Sequence, residues 1–167
     1  MTDLGQYRKN AKEHNLCAEY TQKWDACNSN KQYFDMATDA KGMDYLCDSI
    51  AKGWGISVDE ICERFGAYIN ARYVTECNGY NSCLYARYKG EIEAKTTLIG
   101  LLDCDVDLAV GEDAFCEVYC SGKCDIRLSG KGRAVFVCYG NEENITISGS
   151  CGNFKRINKK NRDMYEQ

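Results

Sequence analysis

The chain has 167 residues, with 21 Lys and Arg against 25 Asp and Glu and a net charge of −4. That balance gives no reason to expect nucleic acid as a partner. No apolar run approaches the roughly 18–20 residues needed to cross a bilayer, so no membrane is expected either.

Twelve cysteines, one histidine and no proline are the outstanding counts. Zinc would call for histidines or close cysteine pairs, but His14 stands alone and there is no C-x2-C pair; Cys116, Cys120 and Cys124 have three-residue gaps and no fourth ligand. Neither a metal nor another cofactor is implied. The even count reads instead as a disulfide framework, which places the protein in an oxidising compartment. Cys17, Cys27, Cys47, Cys62, Cys77 and Cys83 precede a gap of twenty residues, and Cys104, Cys116, Cys120, Cys124, Cys138 and Cys151 follow it. Bridges are expected to stay within each set of six. The sequon Asn144-Ile145-Thr146 marks Asn144 for glycosylation and agrees with secretion. The expectation is a secreted, extracellular chain whose leader has been removed.

In chain order, Leu4, Tyr7, Ala11, Cys17, Tyr20, Trp24 and Cys27 recur at helical spacing and predict a helical face over residues 3–27. Residues 33–36 read as a strand. Leu46 and Ile50 share one face of a helix over 46–53, with Asp44 before it and Gly53 and Gly55 able to end it. Ser57 and Glu60 form a capping box opening a second helix over 57–66, where Val58, Ile61 and Phe65 supply the buried stripe and Gly66 the stop. Residues 73–84 supply a second strand.

That strand-helix-helix-strand order resembles the LysM module, as does the wording from Cys47 to Ile61, with Ser49-Ile50-Ala51, Gly55-Ile56-Ser57 and Asp59-Glu60-Ile61 at its centre. The resemblance covers residues 33–84. It implies a carbohydrate-binding unit that recognises N-acetylglucosamine polymers, with sugar held between a first loop carrying Gly42, Asp44 and Tyr45 and a second carrying Tyr68, Ile69 and Asn70. The family's Asn-Pro pair does not occur here.

Beyond the gap, alternation takes over. Cys104, Val106, Leu108 and Val110 share one side of a strand, and Asp103, Asp105 and Asp107 form a solvated face on the other. Further strands are predicted at 115–120, 125–129, 133–139 and 145–148, with Ser129-Gly130-Lys131-Gly132 as a hairpin turn. Residues 155–162, KRINKKNR, open a basic, frayed tail.

The fold class expected is α+β and disulfide-rich: a helical, LysM-like half over residues 1–85, a small antiparallel β half over 86–153, and a tail over 154–167. With His14 the one histidine and no free thiol expected, no catalytic residue is assigned and no enzyme is expected. Size and cysteine density resemble the small secreted effectors of plant-associated fungi. The function expected is that of a virulence effector binding chitin oligomers. The alternatives are an effector or toxin-like module binding a host protein, with the LysM-like frame as scaffold, and a secreted hydrolase or inhibitor.

Overall fold

The computed structural model describes residues 18–53, 56–69, 82–95 and 97–159, with Lys9 and Glu13 as isolated positions. His14, Cys17, Gly55, Asn70, Cys77, residues 73–81 of the strand expected over 73–84, and the tail beyond Lys159 lie outside the described residues.

Four helices come first: α1 (Ala18–Ala26), α2 (Asn30–Ala37), α3 (Ala40–Lys52) and α4 (Val58–Phe65). Each helix start from α2 onward has a local cause. Ser29 caps α2 by accepting from the Gln32 N–H, and Asp39 caps α3 by accepting from the Gly42 N–H. Gly53, at φ +70°, closes α3 with its N–H on the Ile50 and Ser49 carbonyls. The capping box of Ser57 and Glu60 opens α4, as the sequence predicts. Two expectations are corrected. Residues 33–36 are helical, because the Ser29 cap commits the Tyr33-Phe34 stretch to α2. Asp44 lies inside a helix that begins four residues before it, since Asp39 provides the cap.

Nine strands follow: β1 (Ser82–Ala86), β2 (Lys89–Ala94), β3 (Thr97–Leu102), β4 (Asp105–Val110), β5 (Phe115–Ser121), β6 (Cys124–Gly130), β7 (Arg133–Cys138), β8 (Ile145–Gly149) and β9 (Asn153–Asn158). All pairings are parallel, and each strand bonds to the next but one. One sheet runs β1-β3-β5-β7-β9, the other β2-β4-β6-β8. This is a β-solenoid of about four turns. Each coil buries its inner face only against its neighbours, as in other stacked-repeat architectures.

The predicted α+β fold with a LysM-like βααβ half and an antiparallel β half is therefore overturned. The positions of β4 to β8 agree with expectation to within about two residues, whereas β2, β3 and β9 were not expected, and the links between strands are corners, not hairpins. Ser129-Gly130-Lys131-Gly132 is one such corner: the Lys131 and Gly132 N–H groups donate to the Val110 carbonyl of the coil beneath. Residues 155–158, expected in a frayed tail, belong to β9.

A column of left-handed residues makes the corners after the odd strands. Arg87 (φ 54°), Asp103 (φ 52°), Gly122 (φ 76°) and Gly140 (φ 87°) occupy equivalent places in successive coils. For a side chain this conformation costs about 1–2 kcal/mol. Asp103 offsets part of it by accepting from the Lys123 N–H at 2.9 Å, and Arg87 forms an ion pair with Asp59 of α4.

Two apolar cores result. Inside the coil, inward residues stack in register: Cys83, Ile99, Val118 and Phe136 form one column, and Tyr85, Leu101, Cys120 and Cys138 another. The helices cover the outer face of the five-stranded sheet, where Phe34, Met43, Leu46, Ile61 and Phe65 pack with Leu84, Leu98, Leu102 and Val137. Full burial of such side chains contributes about 1.5–3 kcal/mol each. Ser121 of β5 donates to the Cys47 carbonyl at 2.9 Å, tying α3 to the sheet.

The disulfide framework is overturned as well. Cys27, Cys47, Cys62, Cys83, Cys104, Cys116, Cys120, Cys124, Cys138 and Cys151 are all free thiols. The parallel ladder explains this. Cysteines stacked in one column, such as Cys104 over Cys124 or Cys120 over Cys138, point the same way at the ~4.8 Å strand spacing. A disulfide needs Cβ atoms about 3.5–4.5 Å apart with converging geometry. In these columns cysteine serves as a small apolar residue, and the premise for an oxidising compartment falls away with the bridges.

Candidate functional site: a cavity beside the long corner

Among the corners that follow the odd strands, one departs from the rest. Between odd and even strands the corners 87–88, 103–104 and 122–123 have two residues each, whereas β7 reaches β8 through residues 139–144, with a 3-10 turn at Glu142–Asn144. In stacked-repeat folds such insertions gather on one face, which is often the binding face. Arg156 of β9 holds this corner from behind, with Nη1 donating to the Ile145 carbonyl at 2.8 Å and Nη2 to the Glu142 carbonyl at 3.1 Å.

A cavity of about 460 Å³ lies between this corner and the last turns of α3. Its polar lining comes from Asp48, Lys52, Tyr139, Asn141, Asn144 and Lys159, with the backbone of Gly122 and Gly140, and Ile50 and Ala51 add apolar surface. The size falls within the ~300–1,000 Å³ usual for small-molecule sites. Asp48 is buried and sits one helical turn before Lys52, whose Nζ is 3.5 Å from its Oδ2. A buried carboxylate needs such a partner, since removing charge from water is costly. Tyr139 is fully buried and donates its hydroxyl to Asp44 Oδ1. Burial, followed by the Asp44 charge, holds its phenol far above the ordinary range, so it is a fixed neutral donor.

The sequence-predicted sugar residues are distributed otherwise. Gly42 is in the first turn of α3, where a Cβ would run into the Met36 carbonyl, so it is glycine to let α2 and α3 approach. Asp44 is committed to Tyr139, and Tyr45 lies part-buried in the same helix. Tyr68 follows α4 with its ring 5.5 Å from that of Phe34 and Lys31 Nζ above it, and Ile69 packs on the second core. Gly42, Asp44 and Tyr45 thus sit in a helix and form no loop. Asn144, singled out as a glycosylation sequon, is exposed and lines the cavity.

A second cavity of about 490 Å³, between α1, α3 and the β1 and β3 edge, has charged groups already satisfied by one another. Glu19 pairs with Lys23 at 3.1 Å and Lys41 at 3.9 Å, and Tyr20 donates to Asp39.

On the outer face of the four-stranded sheet, Asp105 and Asp107 point to solvent as predicted. Arg127 gathers the carboxylates, 2.7 Å from Asp105 and 3.4 Å from Asp125 and paired also with Asp107. Among the described residues no group of His, Cys, Asp and Glu could hold a metal ion, and no helix is long and apolar enough to cross a membrane.

The buried thiols are quiet. Desolvation pushes Cys83 up to about 11 and Cys104 up to about 12, and holds Cys47 well above the usual thiol value. Cys120 lies beside Cys124 and Cys138, and interaction with them raises its own value and lowers theirs. All three are sealed inside the coil.

No family emerges. Neither a family model, nor a curated protein, nor a solved structure matches the chain, so nothing supports a LysM module. The cavity residues Asp48, Lys52, Tyr139, Asn141 and Lys159 went unnoticed as a site, because their proximity depends on the solenoid. The usable signal was one long corner in a series of short ones.

Proposed function

We propose that the chain is a binding module that holds a small, hydroxylated ligand, of which a sugar unit is the simplest example, in the cavity between α3 and the 139–144 corner. The observation that carries this reading is the lining: side-chain amides of Asn141 and Asn144, ammonium groups of Lys52 and Lys159, and the Asp48 carboxylate, all around about 460 Å³. Such groups offer both donors and acceptors to ligand hydroxyls. The reading does not rest on the LysM resemblance, and none of the sugar-binding residues implied by it lines the cavity. Binding is favoured over catalysis because no thiol lines the cavity and the lining carboxylate is held by a lysine.

Titration calorimetry against hexoses, N-acetylglucosamine and chitin oligomers tests it. At least one sugar is expected to bind, and Asn144→Ala is expected to weaken it about tenfold, as loss of one well-placed polar contact does. No heat with any sugar, from a protein whose circular dichroism shows it folded, refutes the reading.

A further inference from the structure

The charge of the cavity wall narrows the ligand class. Asp48 is neutralised within the wall by Lys52, 3.5 Å away. Asn141 and Asn144 are neutral, and the Tyr139 phenol stays protonated with its hydroxyl directed at Asp44. Lys159 is different: it is half-buried where β9 ends, its backbone N–H is fixed on the Cys138 carbonyl at 2.8 Å, and its side chain lines the cavity. Among the described residues no carboxylate lies within ion-pair distance of it. Among the described residues the wall therefore carries one uncompensated charge, and it is positive. Arg156, whose guanidinium is spent on the Ile145 and Glu142 carbonyls, adds a second cation behind the same corner. A partly desolvated ammonium attracts an anionic oxygen more strongly than one in water, because the local dielectric is lower.

We infer that the ligand of this cavity carries an anionic group, a carboxylate or a phosphate, on its hydroxylated frame, and that Lys159 is the residue that pairs with it. The inference rests on the binding reading above and adds the substrate class to it. Asn141 and Asn144 then take the hydroxyls, and Lys52 stays with Asp48. Lysine acts here as a point charge on a flexible stem, which suits either anion.

The test compares matched pairs by calorimetry: galacturonate against galactose for the carboxylate, and glucose 6-phosphate against glucose for the phosphate. The acid of at least one pair is expected to bind about tenfold or more tightly than its neutral partner, with the difference shrinking as sodium chloride is raised. Lys159→Met and Lys159→Gln are expected to abolish that preference, the acid losing about tenfold more affinity than its neutral partner. Lys131→Met, at an exposed corner away from the cavity, is expected to change nothing. Equal binding of acid and neutral sugar, or a preference that survives in both Lys159 variants, overturns the anionic class and leaves the hydroxylated-ligand reading standing. Absence of binding by either member of both pairs overturns the two together.

Discussion

Gly122→Ala tests the corner column that winds the chain. Gly122 holds φ +76°, where an alanine costs about 1–2 kcal/mol. A Cβ there would also run into the Asp103 carboxylate of the coil beneath, whose Oδ1 accepts from the Lys123 N–H at 2.9 Å. Displacing that carboxylate forfeits a hydrogen bond to a charged group, about 1.5–3 kcal/mol. The single substitution should therefore cost about 2.5–5 kcal/mol. In an Asp103→Gly background the obstacle is absent and only the backbone term of about 1–2 kcal/mol remains, so the double-mutant cycle should show a coupling of about 1.5–3 kcal/mol, the hydrogen-bond term. Urea denaturation followed by far-ultraviolet circular dichroism reads both. An identical cost in the two backgrounds would mean that Gly122 and Asp103 are not stacked, and the coil register would be wrong.

Two further outcomes concern the thiols. Denatured, unreduced protein should release at least ten titratable thiols; in the folded state Cys27, Cys62 and Cys151 should react first and the seven buried ones only at the rate of unfolding. Two or fewer thiols would restore the disulfide reading. Stability should also fall as pH rises above about 9, because Cys83 and Cys104 stay protonated to about 11 and about 12 when folded but ionise near the ordinary value when unfolded. The unfolded chain then binds fewer protons, at a cost of about 1.4 kcal/mol per thiol per pH unit until the folded value is reached. Cys124 and Cys138, shifted downward, make contributions already complete above the unfolded value, so they do not offset this fall. A urea midpoint that holds steady to about pH 10.5 would refute the burial of these groups.

Much of the local structure was legible in the sequence, and the way it assembles was not. The Ser57 and Glu60 capping box reports on neighbouring residues alone, and it opens α4 where expected. Alternation likewise located β4 through β8, because Val106, Leu108, Ile126 and Leu128 must face inward in either kind of sheet. Alternation says which face is buried but not which strand is the partner. A Gly-Lys-Gly link suits a hairpin as well as a solenoid corner, and the choice depended on recognising that Asp103, Gly122 and Gly140 recur once per coil. Cysteine count misled for a related reason: the columns need small apolar residues, and cysteine at matching places in successive coils fills them without bonding. The helix expected over 46–53 begins at Ala40 because Asp39, five residues before Asp44, supplies the cap.

The long corner is the fold's main concession to the cavity, and Arg156 is what keeps it ordered. Extending a loop from two to six residues costs little closure entropy, roughly 1 kcal/mol on a logarithmic scale. It does leave backbone carbonyls without the regular ladder, and Arg156 takes two of them, on Ile145 and Glu142, with one planar fork. Arg156→Ala should therefore cost only about 1–2 kcal/mol in global stability, since the groups are near solvent and water can replace part of the contact. Its larger effect should be local. Amides of residues 140–144 should exchange with deuterium about tenfold faster or more, while those of β5 and β7 keep their protection. Arg156→Lys should rescue little, because an ammonium cannot reach both carbonyls in the plane the guanidinium occupies. Exchange rates unchanged at 140–144 in Arg156→Ala would show that the corner is ordered by its own 3-10 turn, and the cavity would owe its shape to Asn141 and Glu142–Asn144 alone.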